Sequence, residues 1–243
     1  MNERVVLVMR EHDIGGNFMI LEETLLKNRN IFGRVVPFNF NKESIYVFDF
    51  TNNNIDIKEI NLNSAESFDS YVKRTLTLCK ALIGIGRYSE DRIIYQHSSL
   101  FSTARTIHLG IDIILPAGTK VFSPLDGIIH SFQNNNAHGD YGPTIVIQHE
   151  LDEVTFYILY GHLSEDSLGG KSEGQKVKKG EVIGEIGNIY VNGNWFEHVH
   201  FQIIGDMLGK KGDFPGVASI YEREQWLRLC PDPNLILNID KLR

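Results

Sequence analysis

The sequence predicts a mostly β protein, with an antiparallel β-hairpin domain over residues 96–210, an α+β region over residues 1–95 before it, and a closing helix and tail over residues 211–243. Three observations predict this. Over residues 107–204, short runs rich in Val, Ile, Tyr and Phe are separated by Gly-containing turns, with no long helical period among them. Within that span, Ala117-Gly118-Thr119-Lys120-Val121 and Lys179-Gly180-Glu181-Val182-Ile183-Gly184 echo one another as units entering a hairpin, which hints at an internal duplication. Ahead of it, strand-like and helix-like periods alternate.

Residues 5–9 read as a strand, residues 18–28 as a short helix, and residues 35–40, 45–50 and 55–60 as short strands. Asn63 with Glu66 three residues on marks a helix start. Phe68, Val72, Leu76, Cys79 and Ile83 then keep helical spacing until Gly84 and Gly86, so an amphipathic helix is expected over residues 64–83, packed on the small sheet. At the other end, residues 220–230 read as a closing helix halted by Pro231-Asp232-Pro233.

The chemistry gathers in three segments holding His108, Asp112, His162, His198 and His200. Open zinc sites take three protein ligands from His, Asp and Glu and leave a further position for water. Two histidines and one aspartate meet that need, with two histidines to spare. His108 and Asp112 lie in a β-branched run, where residues four apart in an ideal strand stand about 13 Å apart. To share one ion the strand must bend, and Gly110 between them is where it would kink. His198-Val199-His200-Phe201-Gln202-Ile203 alternates polar with apolar, so both imidazoles share one strand face. His162 follows an apolar run through Tyr160-Gly161, which places it where a strand leaves its sheet. A buried strand with an incidental His, or a solvated strand face, would explain any one segment alone. His149 is read as an exposed or hydrogen-bonded strand terminus, and His12, His97, His130 and His138 have no partner at telling spacing.

The His-x-x-x-Asp, Tyr-Gly-His-Leu-Ser and His-x-His segments, in that order, resemble the lysostaphin-type, LytM-like zinc endopeptidases, the peptidoglycan hydrolases of that family. The resemblance covers residues 107–204 and extends to Pro116-Ala117-Gly118, Ser123-Pro124-Leu125-Asp126-Gly127 and Val177-Lys178-Lys179-Gly180. It implies a duplicated-hybrid-motif-like β-hairpin fold, and one Zn²⁺ held by His108, Asp112 and His200. It also implies His162 and His198 as an unligated catalytic pair, and cleavage of peptide bonds in peptidoglycan cross-links or muropeptide-like peptides. No His-Glu-x-x-His helix is present to supply a glutamate base. Alternatives are a non-hydrolytic zinc-binding or regulatory module of the same fold and a phosphocarrier, since sugar-transport IIA domains resemble the duplicated hairpin and use paired histidines. Tyr141, Asn194 and Trp195 are candidates to line a substrate groove rimmed by residues 134–142 and 164–175.

Composition bounds the partners. The chain has 243 residues, 42% hydrophobic and 23% charged, with a formal net charge of −7. That charge argues against holding nucleic acid or anionic polymers by bulk attraction, so a small or peptide-like substrate is expected, with no nucleic acid and no membrane. The resemblance implies a peptidoglycan fragment or small peptide as that partner. Cys79 and Cys230 stand far apart and outside any Cys-x-x-Cys, so no disulfide framework is indicated. No apolar run approaches the roughly 18–20 residues of a membrane span, and the start is too short for a signal peptide. The expected location is cytoplasmic, or the cell envelope if an export signal has been removed.

Overall fold

A computed structural model describes residues 11–97 and 104–243; the strand expected at residues 5–9 lies outside them. Helix α1 (Glu11–Lys27) starts earlier than expected and buries Leu21 and Leu25. Residues 35–40 form no strand, although Val35 and Val36 are buried. Pro37 lacks an N–H for a ladder. Strand β1 (Ile45–Phe48) follows. Where residues 55–60 alternate like a strand, the chain instead makes a single turn, α2 (Ile55–Lys58), because the Asn54 side chain accepts from the Asp56 N–H and caps it.

Helix α3 (Ala65–Leu78) is capped by Ser64, whose Oγ accepts from the Ser67 N–H, rather than by Asn63. It ends five residues short of the expected boundary. Lys80 takes a left-handed φ of 51°, the Ala81 N–H returns to the Leu76 carbonyl, and Ile83 opens strand β2 (Ile83–Gly86). The helical spacing of Ile83 was a coincidence of apolar residues.

The remaining strands are β3 (Arg105–His108), β4 (Ile111–Ile114), β5 (Lys120–Phe122), β6 (Gly127–Asn135), β7 (Gly142–Leu151), β8 (Val154–Gly161), β9 (Lys176–Val177), β10 (Val182–Glu185), β11 (Val199–Ile204) and β12 (Val217–Ser219). Eight strands form one sheet in the order β1-β2-β4-β11-β8-β7-β6-β9. Its pairs are antiparallel except β1 with β2, so the mostly β, antiparallel fold expected for the second half is present, and the first two strands extend the same sheet. The two echoing stretches pair with one another, β5 against β10 with Gly184 opposite Val121.

Alternation along these strands sorts side chains between two faces. Ile111 and Ile113, Ile145 and Ile147, Phe156 and Ile158, and Phe201 and Ile203 point into the main core with Leu21, Leu25 and Val121. Asp112, His200 and Gln202 alternate with them and take the other face, beside a second cluster of Ile107, Leu109, Phe214 and Trp226. The expected closing helix is one 3-10 turn followed by α4 (Arg223–Leu229), which buries Trp226 and Leu229 there. A third cluster stacks Phe48, Phe50 and Phe68 of the first hundred residues on Phe196, with Phe50 and Phe196 centroids 5.5 Å apart. It buttresses the loop that leads into His198.

Candidate metal centre

The predicted bend occurs at Leu109-Gly110. β3 ends at His108 and pairs with β12, whereas β4 begins at Ile111 and pairs with β2 and β11. This change of partner brings His108 Nε2 to 3.2 Å from Asp112 Oδ1. Asp112 faces His200 across the ladder, with His200 Nδ1 also 3.2 Å from that oxygen. His108 Nε2 and His200 Nδ1 are 3.0 Å apart.

The protonation states follow from what lies on the far side of each ring. His108 Nδ1 is 2.8 Å from the Arg87 carbonyl, which can only accept, so the proton sits on Nδ1 and Nε2 presents a lone pair. His200 Nε2 is 2.8 Å from Gln202 Oε1. The orientation of that amide is fixed because its Nε2 donates to the Pro215 carbonyl, so Nε2 of His200 is a donor and the neutral ring would present its lone pair at Nδ1. Burial first, then the Arg92 charge, pushes His108 down to about 3, so it is neutral and its contact with Asp112 is no ion pair. Burial opposes ionisation of Asp112, but the positive charge around it, that of Arg92 in every protonation state, outweighs burial and holds the carboxyl well below its usual range. Two ring nitrogens and a carboxylate oxygen therefore converge within 3.0–3.2 Å of one another, in side chains no more than 3% exposed. All three atoms can act as electron-pair donors toward a cation placed among them. Atoms each about 2.0–2.1 Å from one tetrahedral zinc are about 3.3 Å apart, close to the separations here. The residues fit a Zn²⁺ ion.

Gly110 makes room for this packing. A Cβ there would stand 2.5 Å from His200 Cε1 and 2.6 Å from Nε2. Gly110→Ala is expected to tilt the His200 ring and weaken zinc binding by about 10–100-fold, as loss of a ligand's orienting partner does; competitive zinc titration reads it.

His162 and His198 stand beside the cluster. The positive φ of His162, 62°, turns the chain sharply where β8 ends, a backbone state of order 1–3 kcal/mol above the usual one. Bonds from the His162 N–H to the Tyr141 carbonyl and from the Gly187 N–H to the His162 carbonyl, 2.8 and 2.9 Å long, hold it there. The His162 and His198 ring centroids are 4.2 Å apart. Each Nδ1–H donates to a backbone carbonyl, of Asn192 at 2.8 Å and of Phe196 at 2.7 Å, which leaves both Nε2 atoms as acceptors. His198 Nε2 is 3.6 Å from Asp112 Oδ1. Burial pushes His198 down to about 4 and His162 well below its ordinary value, so both rest as neutral bases.

Four of the five residues named from the sequence, Asp112, His162, His198 and His200, line a cavity of about 260 Å³ together with Tyr95, Tyr141, Trp195, Arg105 and Phe214, while His108 joins the cluster through Asp112 and His200. Tyr141 and Trp195 take the places expected, while Asn194 lines a neighbouring small pocket. Residues 164–175 are not part of the wall; Lys210 and residues 213–217 are. The sequence reading missed three supports. Gln202, two positions beyond His200 on the polar face of β11, was visible in the alternation. Asn192, whose side chain binds the Phe196 carbonyl and the Trp195 N–H, and Arg92 carried no local signal.

His149 lies elsewhere, its Nδ1–H donating to the Asp126 carbonyl, and it is buried rather than exposed. Its Nε2 has no partner, and burial pushes the imidazole down to about 4. The unfolded chain takes up this proton near pH 6.5 and the folded chain near 4, so stability falls as pH drops through that window, by about 3 kcal/mol. Urea unfolding with chelator at pH 7 and pH 4 should show that extra loss in the wild type and not in His149→Gln.

Residues 106–211 match the model of peptidase family M23. The chain is similar to two peptidoglycan DD-endopeptidases of Vibrio cholerae serotype O1. It is 32% identical to ShyA over 121 residues, 48% of this chain and 25% of ShyA, and 29% identical to ShyC over 104 residues, 42% and 21% respectively. The chain spans about a quarter of the length of these curated relatives. Among solved structures it is similar to a zinc-containing peptidase from Vibrio cholerae, with 27% identity, a TM-score of 0.34, and 40% of this chain and 27% of that one covered. The catalytic domain of lysostaphin from Staphylococcus simulans gives 24% identity and a TM-score of 0.35, covering 50% and 80%. The converging lone pairs and the matched span agree in position, and residues 106–211 of this chain are a domain of peptidase family M23.

Proposed function

We propose that this chain is a zinc-dependent endopeptidase that hydrolyses peptide bonds in peptidoglycan cross-links or muropeptide-like fragments. The observation that carries the reading is the convergence of His108 Nε2, His200 Nδ1 and Asp112 Oδ1 within 3.0–3.2 Å of one another, with a pair of neutral histidines 4.2 Å apart beside them. His108, Asp112 and His200 would hold Zn²⁺. Bound there, the ion would acidify water and polarise a scissile carbonyl.

The protein's own part is positional and acid–base. Asp112 brings one negative charge against two neutral imidazoles, which leaves the loaded site with a formal charge of +1 and favours an anionic nucleophile. The Nε2 atoms of His162 and His198 are the acceptors at hand; one takes the proton from attacking water and the pair delivers it to the leaving amine. Their carbonyl partners keep both Nδ1–H groups fixed, so the proton can enter only at Nε2. Tyr141 packs against both His162 and His200, with centroids 5.6 and 5.2 Å away, and keeps the rings in register.

The relatives are named as DD-endopeptidases, which favours a bond between D-centres in a cross-link as the substrate. Among the described residues no helix is long and apolar enough to cross a membrane. Action on the intact polymer places the working enzyme in the cell envelope; action on recycled fragments places it in the cytoplasm. Incubating the zinc-loaded full chain with purified muropeptides and with D-alanine- or glycine-containing peptides should give products whose masses identify one cleaved bond. Cleavage should stop with chelator and return with zinc. Zinc-loaded protein that cleaves none of these peptides would leave the non-hydrolytic module as the function.

A further inference from the structure

Arg92 is the largest fully buried side chain among the described residues, 1% exposed, and it lies before the span that matches the peptidase family. A buried guanidinium costs several kcal/mol of desolvation unless every donor is used, so where its bonds go is informative. Nη1 donates to Asp112 Oδ2 at 2.6 Å and to the Tyr95 hydroxyl at 3.0 Å. Nε donates to Glu90 Oε2 at 3.0 Å. Nη2 donates at 3.2 Å to the Arg87 carbonyl, the same oxygen that accepts from His108 Nδ1–H. The faces of Phe50 and Tyr95 cover the group, with centroids 5.1 and 5.7 Å from its central carbon.

The cradle is shaped for this group. At Gly86 on β2 a Cβ would meet Arg92 Nη2 at 2.6 Å and Asp112 Oδ2 at 2.9 Å, so only glycine leaves space. Glu90 is in turn held by Arg87, whose Nε donates to Oε1 at 2.9 Å. The backbone clamps the segment as well, from the His108 N–H to the Glu90 carbonyl at 3.0 Å and from the Arg92 N–H to the Thr106 carbonyl at 2.9 Å. One guanidinium thereby fixes two of the three candidate ligands, Asp112 directly and His108 through a shared carbonyl.

We propose that Arg92 is a positioning residue for the metal centre, which occupies Asp112 Oδ2 so that the carboxylate can offer an ion Oδ1 alone. One-oxygen binding keeps the coordination number low and a position free for substrate. The proposal rests on the metal site proposed above but fails separately from it. The role also gives the segment 87–92 a function: it supplies the contacts to Asp112 and His108 that residues 106–211 do not.

The test compares zinc affinity and the visible spectrum of the cobalt-substituted full chain in wild type, Arg92→Gln and Arg92→Lys. Wild type is expected to show the intense bands of four-coordinate cobalt. Arg92→Gln, with Oδ2 freed, should bind zinc about 10–100-fold more weakly and give the weaker bands of a higher coordination number. Arg92→Lys, which keeps a cation beside Oδ2, should recover most of both. Should Arg92→Gln fail to fold, Glu90→Gln carries the test, because it removes the grip on Arg92 Nε and should shift both readouts in the same direction to a smaller extent. A folded variant with wild-type affinity and spectrum overturns the proposal. So does a loss of affinity with an unchanged cobalt spectrum, which would make Arg92 a matter of charge and not of position. Wild type that takes up neither metal removes the site itself.

Discussion

Asp112→Asn is expected to abolish zinc uptake while leaving the protein folded. Arg92 can only donate, so the new amide must turn its oxygen toward Arg92 to keep the 2.6 Å bond made by Oδ2. Its NH₂ group then faces His108 Nε2 and His200 Nδ1, which stood 3.2 Å from Oδ1, and donates to them. The change thus removes the anion and points N–H donors into the cluster. Zinc affinity should fall by well over the 10–100-fold typical of outer-shell losses. Metal saturating the wild type a thousandfold above its Kd stabilises it by about 4 kcal/mol, so the wild type should melt higher with zinc than with chelator. Asp112→Asn should melt at one temperature in both. Elemental analysis finding one zinc per Asp112→Asn chain would refute this account of the cluster.

His162→Ala and His198→Ala should behave in the opposite manner, keeping the ion and losing the reaction. Neither Nε2 is needed to complete the three-atom face, and each ring's Nδ1 is spent on a carbonyl. Removing a positioned general acid or base costs about 10²–10⁴-fold in rate, so kcat/KM on a cleaved muropeptide should drop by that factor in either variant at full zinc content. The double variant should lose little more than the worse single one, because groups that act as a unit are not additive. Full activity in either single variant would remove that histidine from the reaction.

The candidate site was legible where side-chain type and strand period coincide. His198 and His200 share a face because the strand alternates, and the kink at Gly110 follows from the distance that two ligands four residues apart must close. The fold was legible in the second half for the same reason, since each strand there is bounded by turns and carries one apolar face. Legibility failed where a local hydrogen bond overrode the pattern. Asn54 captured the Asp56 N–H and made a helical turn of a run that alternates, and the left-handed residue Lys80 ended α3 before Ile83. It failed also for partners that exist only in three dimensions. Nothing near residue 92 in the chain says that its guanidinium will lie 2.6 Å from a carboxylate twenty positions later.

The pairing of β2 with β4, in which Gly84 faces Ile114 and Gly86 faces Asp112, bears on how this protein can be handled. A stand-alone fragment spanning the matched residues 106–211 would bare the backbone amides and carbonyls along β4, a ready template on which another chain can add. It would also strip Phe196 of Phe50 and Phe68 and set Asp112 adrift on its outer side. Trimming to the recognisable family span should therefore yield aggregating protein with a slack carboxylate, and any dissection of this chain must carry its first hundred residues along.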